Sequence, residues 1–464
     1  MALLDPVLLS RLQFAVTTLF HILWPVLTIG MSLFLLLMEA LWLRSGNDDY
    51  YRHVRFWAKL FILNFGVGVA TGLPLEFEFG TNWAPFAQAA GSFFGNILGF
   101  EGAMAFMLEA GFLGIMMFGW NRVPRGMHLF ATVMVASGAS ISAFWIMDAN
   151  SWMQTPTGGQ MRDGHFVIDS YVAAIFNPDL LWGFSHMWLA CLETSLFVIG
   201  GISAWYLLRG RNVAFFRLSL RWCLIAAIVV TPLQIYVGDA SGKAVFAMQP
   251  AKGAAIEGHW LTNKPGTAAN WAVVAWPNQT AQANDWQINV PSALSWLATG
   301  SFTGQVKGLR DFARADQPPL LPLLFYSVRG MIAIGLALFL LMVWSVVAWA
   351  RGRLASDRWL LRAWIGSIPL GYVAVELGWT VREVGRQPWV IYGVMRTADG
   401  ASRLPAASIG YTLLAYILAY IVLAGAFLVF GWRILKRGPD LTIALPDFAG
   451  PNRQPRDGHR EREA

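Results

Sequence analysis

Residues 14–43 read FAVTTLFHILWPVLTIGMSLFLLLMEALWL. One histidine and one glutamate interrupt an otherwise apolar or small-residue run, longer than the roughly 20 helical residues that cross a bilayer core about 30 Å thick. It is too long for the apolar core of a signal peptide and has no small-residue cleavage site, so it reads as a retained helix. Comparable runs follow at 57–79, 92–120, 127–147, 180–208, 220–237, 322–350, 360–381 and 411–432. The chain is thus predicted to be an all-α integral membrane protein of about nine transmembrane helices. Composition agrees: of 464 residues, 56% are hydrophobic and only 13% charged, against about a quarter charged in soluble domains. The net charge of +7 does not make a nucleic-acid binder, because the basic residues stand between apolar runs and not in water-facing clusters with aromatics. Cys191 and Cys223 lie inside apolar runs without a CxxC motif, which excludes a disulfide scaffold, a zinc ribbon and covalent c-type heme attachment.

Flanking charge gives an orientation, since cytoplasmic loops hold lysine and arginine. Arg44, Arg52, Arg55 and Lys59 follow the first run; Arg122 and Arg125 the third; Arg209, Arg211, Arg217 and Arg221 separate the fifth and sixth. Arg351, Arg353, Arg358 and Arg362 separate the seventh and eighth, and Arg433, Lys436 and Arg437 follow the ninth. The alternation predicts an N-terminus outside and a cytoplasmic C-terminus. Arg382, Arg386, Arg396 and Arg403 dissent, falling on the outer side, and call for a local cause such as the acidic groups of a bound cofactor. The chain divides into six helices over 1–237, a large outer loop over 238–321, three helices over 322–437 and a disordered cytoplasmic tail over 438–464. Long loops are usually functional. There is no internal repeat.

Ionisable groups in hydrocarbon are costly, and each is a functional candidate. His21, Glu101, Glu109, His186, Arg329 and Glu376 qualify, and His21, His186 and the Arg329–Met331 turn all lie in the outer half under this topology. A histidine and a methionine at one depth on different helices suit the axial positions of a low-spin heme, and such ligation raises its potential; His186 with Met331 fits. The plainer alternative is an interhelical hydrogen bond for His186 and gap filling by Met331. Arg329 is placed to offset propionate charge. His21 is a candidate single ligand of a high-spin heme, or equally a partner in an interhelical hydrogen bond. Glu101 and Glu109 are eight residues apart, about 12 Å along one side of a helix, a spacing that suits a proton relay with Ser142 and Asn150 as polar neighbours; structural carboxylates are the alternative. Asp148 is a further buried acid with no derived role. Two membrane histidines are too few for a heme-copper oxidase or a bis-histidine two-heme cytochrome b. His53, His128, His165, His259 and His459 fall in loops, at helix ends or in the tail, where solvated surface is expected.

Six stretches now carry a resemblance: LSRLQFAVTTLFH (9–21), GVATGLPLEFEFGTNW (68–83), GFEGAMAFMLEAGF (99–112), WIMDANSWMQ (145–154), GDASG (238–242) and GRQPW (385–389). Together they resemble subunit I of the cytochrome bd quinol oxidases, over nearly all of 9–389. The resemblance implies a multi-pass protein of the bacterial inner membrane that oxidises ubiquinol or menaquinol and reduces O2 to water without pumping. Protons for water come from the cytoplasm, and those of quinol leave outside. It implies His186 and Met331 as ligands of low-spin heme b with Arg329 beside it, and His21 and Glu376 as ligands of two high-spin hemes. One of those is a heme b and one a heme d, which heme b replaces in some members, and their order is unassigned. Glu101 then sits at the di-heme site and Glu109 on the proton path. QPAKGAAIE (249–257) aligns with the quinol-contacting stretch, which carries Lys252 and Glu257 over as quinol residues; without the family they read as exposed loop charge. A second membrane subunit and a small single-helix subunit are the implied partners. The loop is short, as in the branch resembling cyanide-insensitive oxidases. Ala110 stands where many members have Ser, and Tyr372 where Trp is frequent. The competing reading, an ion-coupled secondary transporter using Glu101, Glu109 and Arg329, predicts repeats and broken helices.

Overall fold

A computed structural model describes residues 5–446, without the side chains of 104–106. Among the described residues nine helices are long and apolar enough to cross a membrane: α1 Pro6–Ser45, α2 Asp48–Gly80, α3 Phe94–Phe118, α4 Arg125–Gln154, α5 Leu180–Leu208, α6 Val213–Met248, α7 Leu321–Ala350, α8 Arg358–Val384 and α9 Ala406–Arg437. Helix α1 starts well before its apolar run because Asp5 accepts from the N–H groups of Val7 and Leu8, and Pro6 occupies a position that needs no donor. It ends at Gly46, whose φ of 68° closes the last turn.

Helix α6 corrects a boundary. The predicted outer loop starts at 238, but the helix continues to Met248, helped by an Asp239–Lys243 pair one turn apart. GDASG is therefore helical. Two spans are interrupted. Helix α8 consists of Arg358–Ser367 and Leu370–Val384, divided at Pro369, which cannot donate to the preceding turn. Helix α3 contains a π-helical turn at Glu101–Ala105, a feature that concentrates at functional sites.

Helix α5 is the central strut, packed on α1, α4, α6 and both halves of α8. In lipid such contacts depend on close approach more than on hydrophobic burial. Gly30 lies against Ser195, and Gly200 against the ring of Trp364, with no room for a side chain at either glycine. Helices α3 and α9 are largely exposed along their length. The largest apolar cluster, with Trp57, Phe61, Tyr206, Phe216 and Trp364 fully buried, fills the end of the bundle away from segment 249–320. Two histidines expected on the surface are buried there. His53 bonds the carbonyls of Asp49 and Phe215 at 2.7 and 3.1 Å, and His128 bonds Glu39 at 2.7 Å, because neighbouring helix ends close over them. Ile443 and Leu445 pack on the same cluster; the predicted tail from 447 onward, including His459, lies outside the described residues.

The other end, termed the loop end below, carries three hairpins, one of them the short pair Trp389–Ile391 and Met395–Arg396. Strands β1 Gly159–Arg162 and β2 His165–Ile168 are joined through Asp163 and Gly164, with φ of 49° and 79°, the left-handed pair that Asp-Gly turns supply. Segment 249–320 contains the short helix Pro250–Glu257 and the hairpin of β3 Trp271–Asn278 and β4 Ala283–Val290. Strand β3 lies along the first turns of α7: the Tyr326 hydroxyl donates to the Ala275 carbonyl at 2.9 Å.

Candidate functional site

The short helix Pro250–Glu257 bears two ionisable side chains five residues apart, which point in different directions. Lys252 and Glu257 are 3% and 8% exposed, so neither is ordinary loop charge. The Lys252 ammonium donates to the Arg382 carbonyl at 2.9 Å and to Gln154 Oε1 at 3.2 Å. Burial first, then the guanidinium of Arg382, pushes its pKa down to about 7, against the opposing pull of Asp179 and Glu383. Glu257 faces the other way and accepts from Arg329 Nη2 and Trp271 Nε1, each at 2.8 Å. Burial lifts its carboxyl above the usual range in spite of Arg329. The structure does not bring Lys252 and Glu257 together: one is anchored on α4 and α8, the other on α7 and β3.

Arg329 is wholly engaged by protein. Its Nε donates to the Val273 carbonyl at 3.0 Å, Nη1 to that of Ile256 at 2.9 Å, and Nη2 to Glu257 and to the Ala272 carbonyl at 2.5 Å. Its guanidinium lies 3.3 Å from the Phe325 ring centroid. It clamps the loop to α7 two residues before Met331.

His186, in the second turn of α5, has a buried Nδ1 without a partner. A Cβ at Gly238 of α6 would come within 3.1 Å of its Cε1, and one at Gly378 of α8 within 3.2 Å of the Met331 sulfur. Helices α5 and α7 both pack on α6 and on α8, so the two side chains share neighbours. A ligand pair with open coordinating atoms, each set against a glycine, fits a flat macrocycle.

His21 of α1 is oriented by α2. Its Nδ1 lies 2.9 Å from Thr71 Oγ1, whose own hydrogen goes to the Val67 and Gly68 carbonyls, both at 3.0 Å. Nδ1 must therefore be the donor, which leaves Nε2 with a free lone pair, the arrangement that supporting hydrogen bonds give metal-ligating histidines. Glu376 of α8 has a buried Oε1 with no partner. Glu101, first residue of the π turn, accepts from the Ser142 hydroxyl at 2.7 Å and lies in electrostatic range of Glu109 and of Glu76 on α2. Asn150, expected on that route, is not there. It bonds Glu383 and Arg382 at 2.8 and 2.5 Å.

Three of the four dissenting basic residues find protein carboxylates, and Arg403 is exposed. Arg382 pairs with Asp179 at 2.6 Å, Arg386 with Glu383 at 2.5 Å, and Arg396 with Asp316. Burial alone would raise the Asp179 carboxyl, but Arg382, Lys252 and Ser151 hold it below its ordinary value. Three further acids, Glu39, Glu78 and Glu193, are buried, and Glu76 stands near Glu101; none is among the sequence candidates. Their signal was simple, a glutamate within or at the edge of an apolar run. Among the described residues no cluster of three or more His, Cys, Asp or Glu is placed for a bare metal ion; the candidate ligands stand singly on separate helices.

Nine apolar helices, with lone histidine, methionine and carboxylate ligand candidates between them and a folded loop latched above one such pair, make up a multi-helix membrane-spanning protein. The family model for cytochrome bd terminal oxidase subunit I matches residues 9–439, and the chain belongs to that family. The chain is 35% identical to the cytochrome bd ubiquinol oxidase subunit 1 of Bacillus subtilis (strain 168) over 447 residues, covering 94% of this chain and 95% of the relative. It is 34% identical to the cytochrome bd-II ubiquinol oxidase subunit 1 of Escherichia coli (strain K12) over 508 residues, covering 94% and 97%. The solved structure of bd oxidase from Geobacillus thermodenitrificans matches with a TM-score of 0.86 and 32% identity, over 95% of this chain and 100% of that one. The chain is thus a multi-pass membrane subunit of a terminal quinol oxidase that uses heme, a quinol:oxygen oxidoreductase. The transporter reading is not favoured.

Proposed function

We propose that this subunit takes electrons from quinol at the loop end, which faces outside the bacterial inner membrane, and delivers them to an O2-reducing di-heme site supplied with protons from the cytoplasm. The observation that carries the reading is the Glu257–Arg329 ion pair at 2.8 Å, which fixes the quinol loop to the turn of α7 that bears Met331. His186 and Met331 would hold the low-spin heme b. His21 and Glu376 would hold two high-spin hemes, a heme b and either heme d or a second heme b. When bound, the hemes carry the electrons and bind and reduce O2.

The protein's own groups do the rest. Lys252, with a pKa of about 7, can hold or yield a proton at neutral pH beside the quinol head, and Glu257 with its raised pKa can accept a quinol proton for release outside. Glu109 passes protons to Glu101, which the Ser142 hydroxyl orients. Charge then separates across the membrane without a pump. The largely exposed faces of α3 and α9 leave room for a second membrane subunit and a small single-helix subunit. Replacing Glu257 by Ala tests the quinol role: oxidation of quinol should slow at least tenfold, while oxidation of an artificial donor that enters elsewhere is spared. Equal loss with both donors would count against it.

A further inference from the structure

Glu193 has no part in the chemistry above. It lies on α5 seven residues beyond His186, close to two turns, which puts it on nearly the same side of the helix and about 10 Å further from the loop end. Helix α6 runs antiparallel alongside. Its Gly238 abuts His186, and its Thr231, seven residues earlier, lies within hydrogen-bonding reach of Glu193. Glu193 is 6% exposed and Thr231 is fully buried. Glu193 Oε1 and Thr231 Oγ1 both lack a hydrogen bond of good geometry, as does the buried Oε1 of Gln234, which stands between the two levels on α6. A polar strip of Glu193, Thr231 and Gln234 thus leads through the α5–α6 seam toward the low-spin ligand.

Among the described residues no cation pairs with this carboxyl. The side chains that α1 and α4 set against α5 are uncharged, Gly30 against Ser195 and Ser140 against Trp188. From α8, Tyr372 interacts with Cys191 and Arg382 with His186. A buried carboxylate without a cation is costly, and so is a buried added electron. One proton on Glu193 relieves both.

We propose that Glu193 is a redox-linked proton site: its carboxylate takes up one proton from the aqueous phase when the low-spin heme gains an electron from quinol, and returns it when that electron moves on. One O–H bond forms per electron, so the net charge of the heme–carboxyl pair is unchanged. The proposal rests on the reading of His186 and Met331 as the heme's ligands.

Spectroelectrochemical titration of the low-spin band in the purified complete oxidase between pH 6 and about pH 9 tests it. The wild-type midpoint should fall as pH rises, and in Glu193→Gln the slope should drop at least twofold with the band intact; an unchanged slope would overturn the proposal. Redox-difference infrared spectra should show a protonated carboxyl band that appears on reduction in the wild type and is missing from the variant. The same band in both redox states would mean a permanently protonated structural group, and would also overturn it. If Glu193→Gln fails to assemble, Thr231→Val replaces it: loss of a donor to the carboxylate should move the break in the slope to higher pH, and an unmoved break counts against the idea. In His186→Ala a persistent low-spin band would instead sink the ligand reading, a separate signal.

Discussion

The buried charges near Met331 and those around His21 are handled in opposite ways. At the loop end two buried acids each meet a cation: Glu257 meets Arg329 and Asp179 meets Arg382, at 2.8 and 2.6 Å. Around His21, Glu101 has a serine hydroxyl and the buried oxygen of Glu376 has nothing. The first arrangement is architecture, since a paired charge holds a loop in place. The second leaves carboxylates without a countercharge, as the proposed roles in holding iron and carrying protons require, at the expense of stability.

The largest effect should come from breaking a pair. Arg329→Leu leaves Glu257 buried and uncompensated, a loss of about 3–5 kcal/mol, visible as a lower unfolding temperature of the purified oxidase. Adding Glu257→Leu should recover most of it. A double variant no better than the single would show that pairing is not what the arginine supplies.

On the other side, Glu376→Gln should change the unfolding temperature little while one high-spin heme is lost per complex, counted by heme extraction. Undiminished heme content would remove Glu376 from the ligand set. A smaller effect concerns Lys252, whose pKa is about 7 in the fold against an ordinary 10.5. Between those values the unfolded chain holds the proton and the folded chain does not, so stability rises with pH across that window. The unfolding temperature of the wild type relative to Lys252→Met should therefore climb from pH 7 to about pH 10 and stay level below 7; a flat difference would mean that the amine keeps its proton. The smallest change is expected at Arg162–Asp169, 3.4 Å apart and about half exposed, where Arg162→Ala should cost no more than about 1 kcal/mol.

The nine spans were legible because crossing a bilayer demands apolar length, and length is written in the sequence. Their interruptions were less so. Pro369 announces the break in α8, but the π turn after Phe100 depends on how α3 meets α4. Among the site residues, His21, His186 and Glu376 stood out as polar groups in apolar runs. The Glu39–His128 bond joins residues 89 positions apart, and no local pattern foretells it. Glu193 was within reach, being the acid two turns from His186 in a strongly apolar helix. The basic loop between the last two spans called for cofactor acids by charge counting, and the fold supplied Asp179, Glu383 and Asp316 from the protein itself.

The π turn at Glu101–Ala105 makes the relation between Glu101 and Glu109 a matter of chain length as well as of residue identity. That turn takes up one residue more than an α turn, so forcing the same residues into regular α-helix would swing Glu109 by about 100° relative to Glu101, with both glutamates still present. A homologue with a one-position gap in this stretch and a regular α turn therefore keeps the bearing between its two acids.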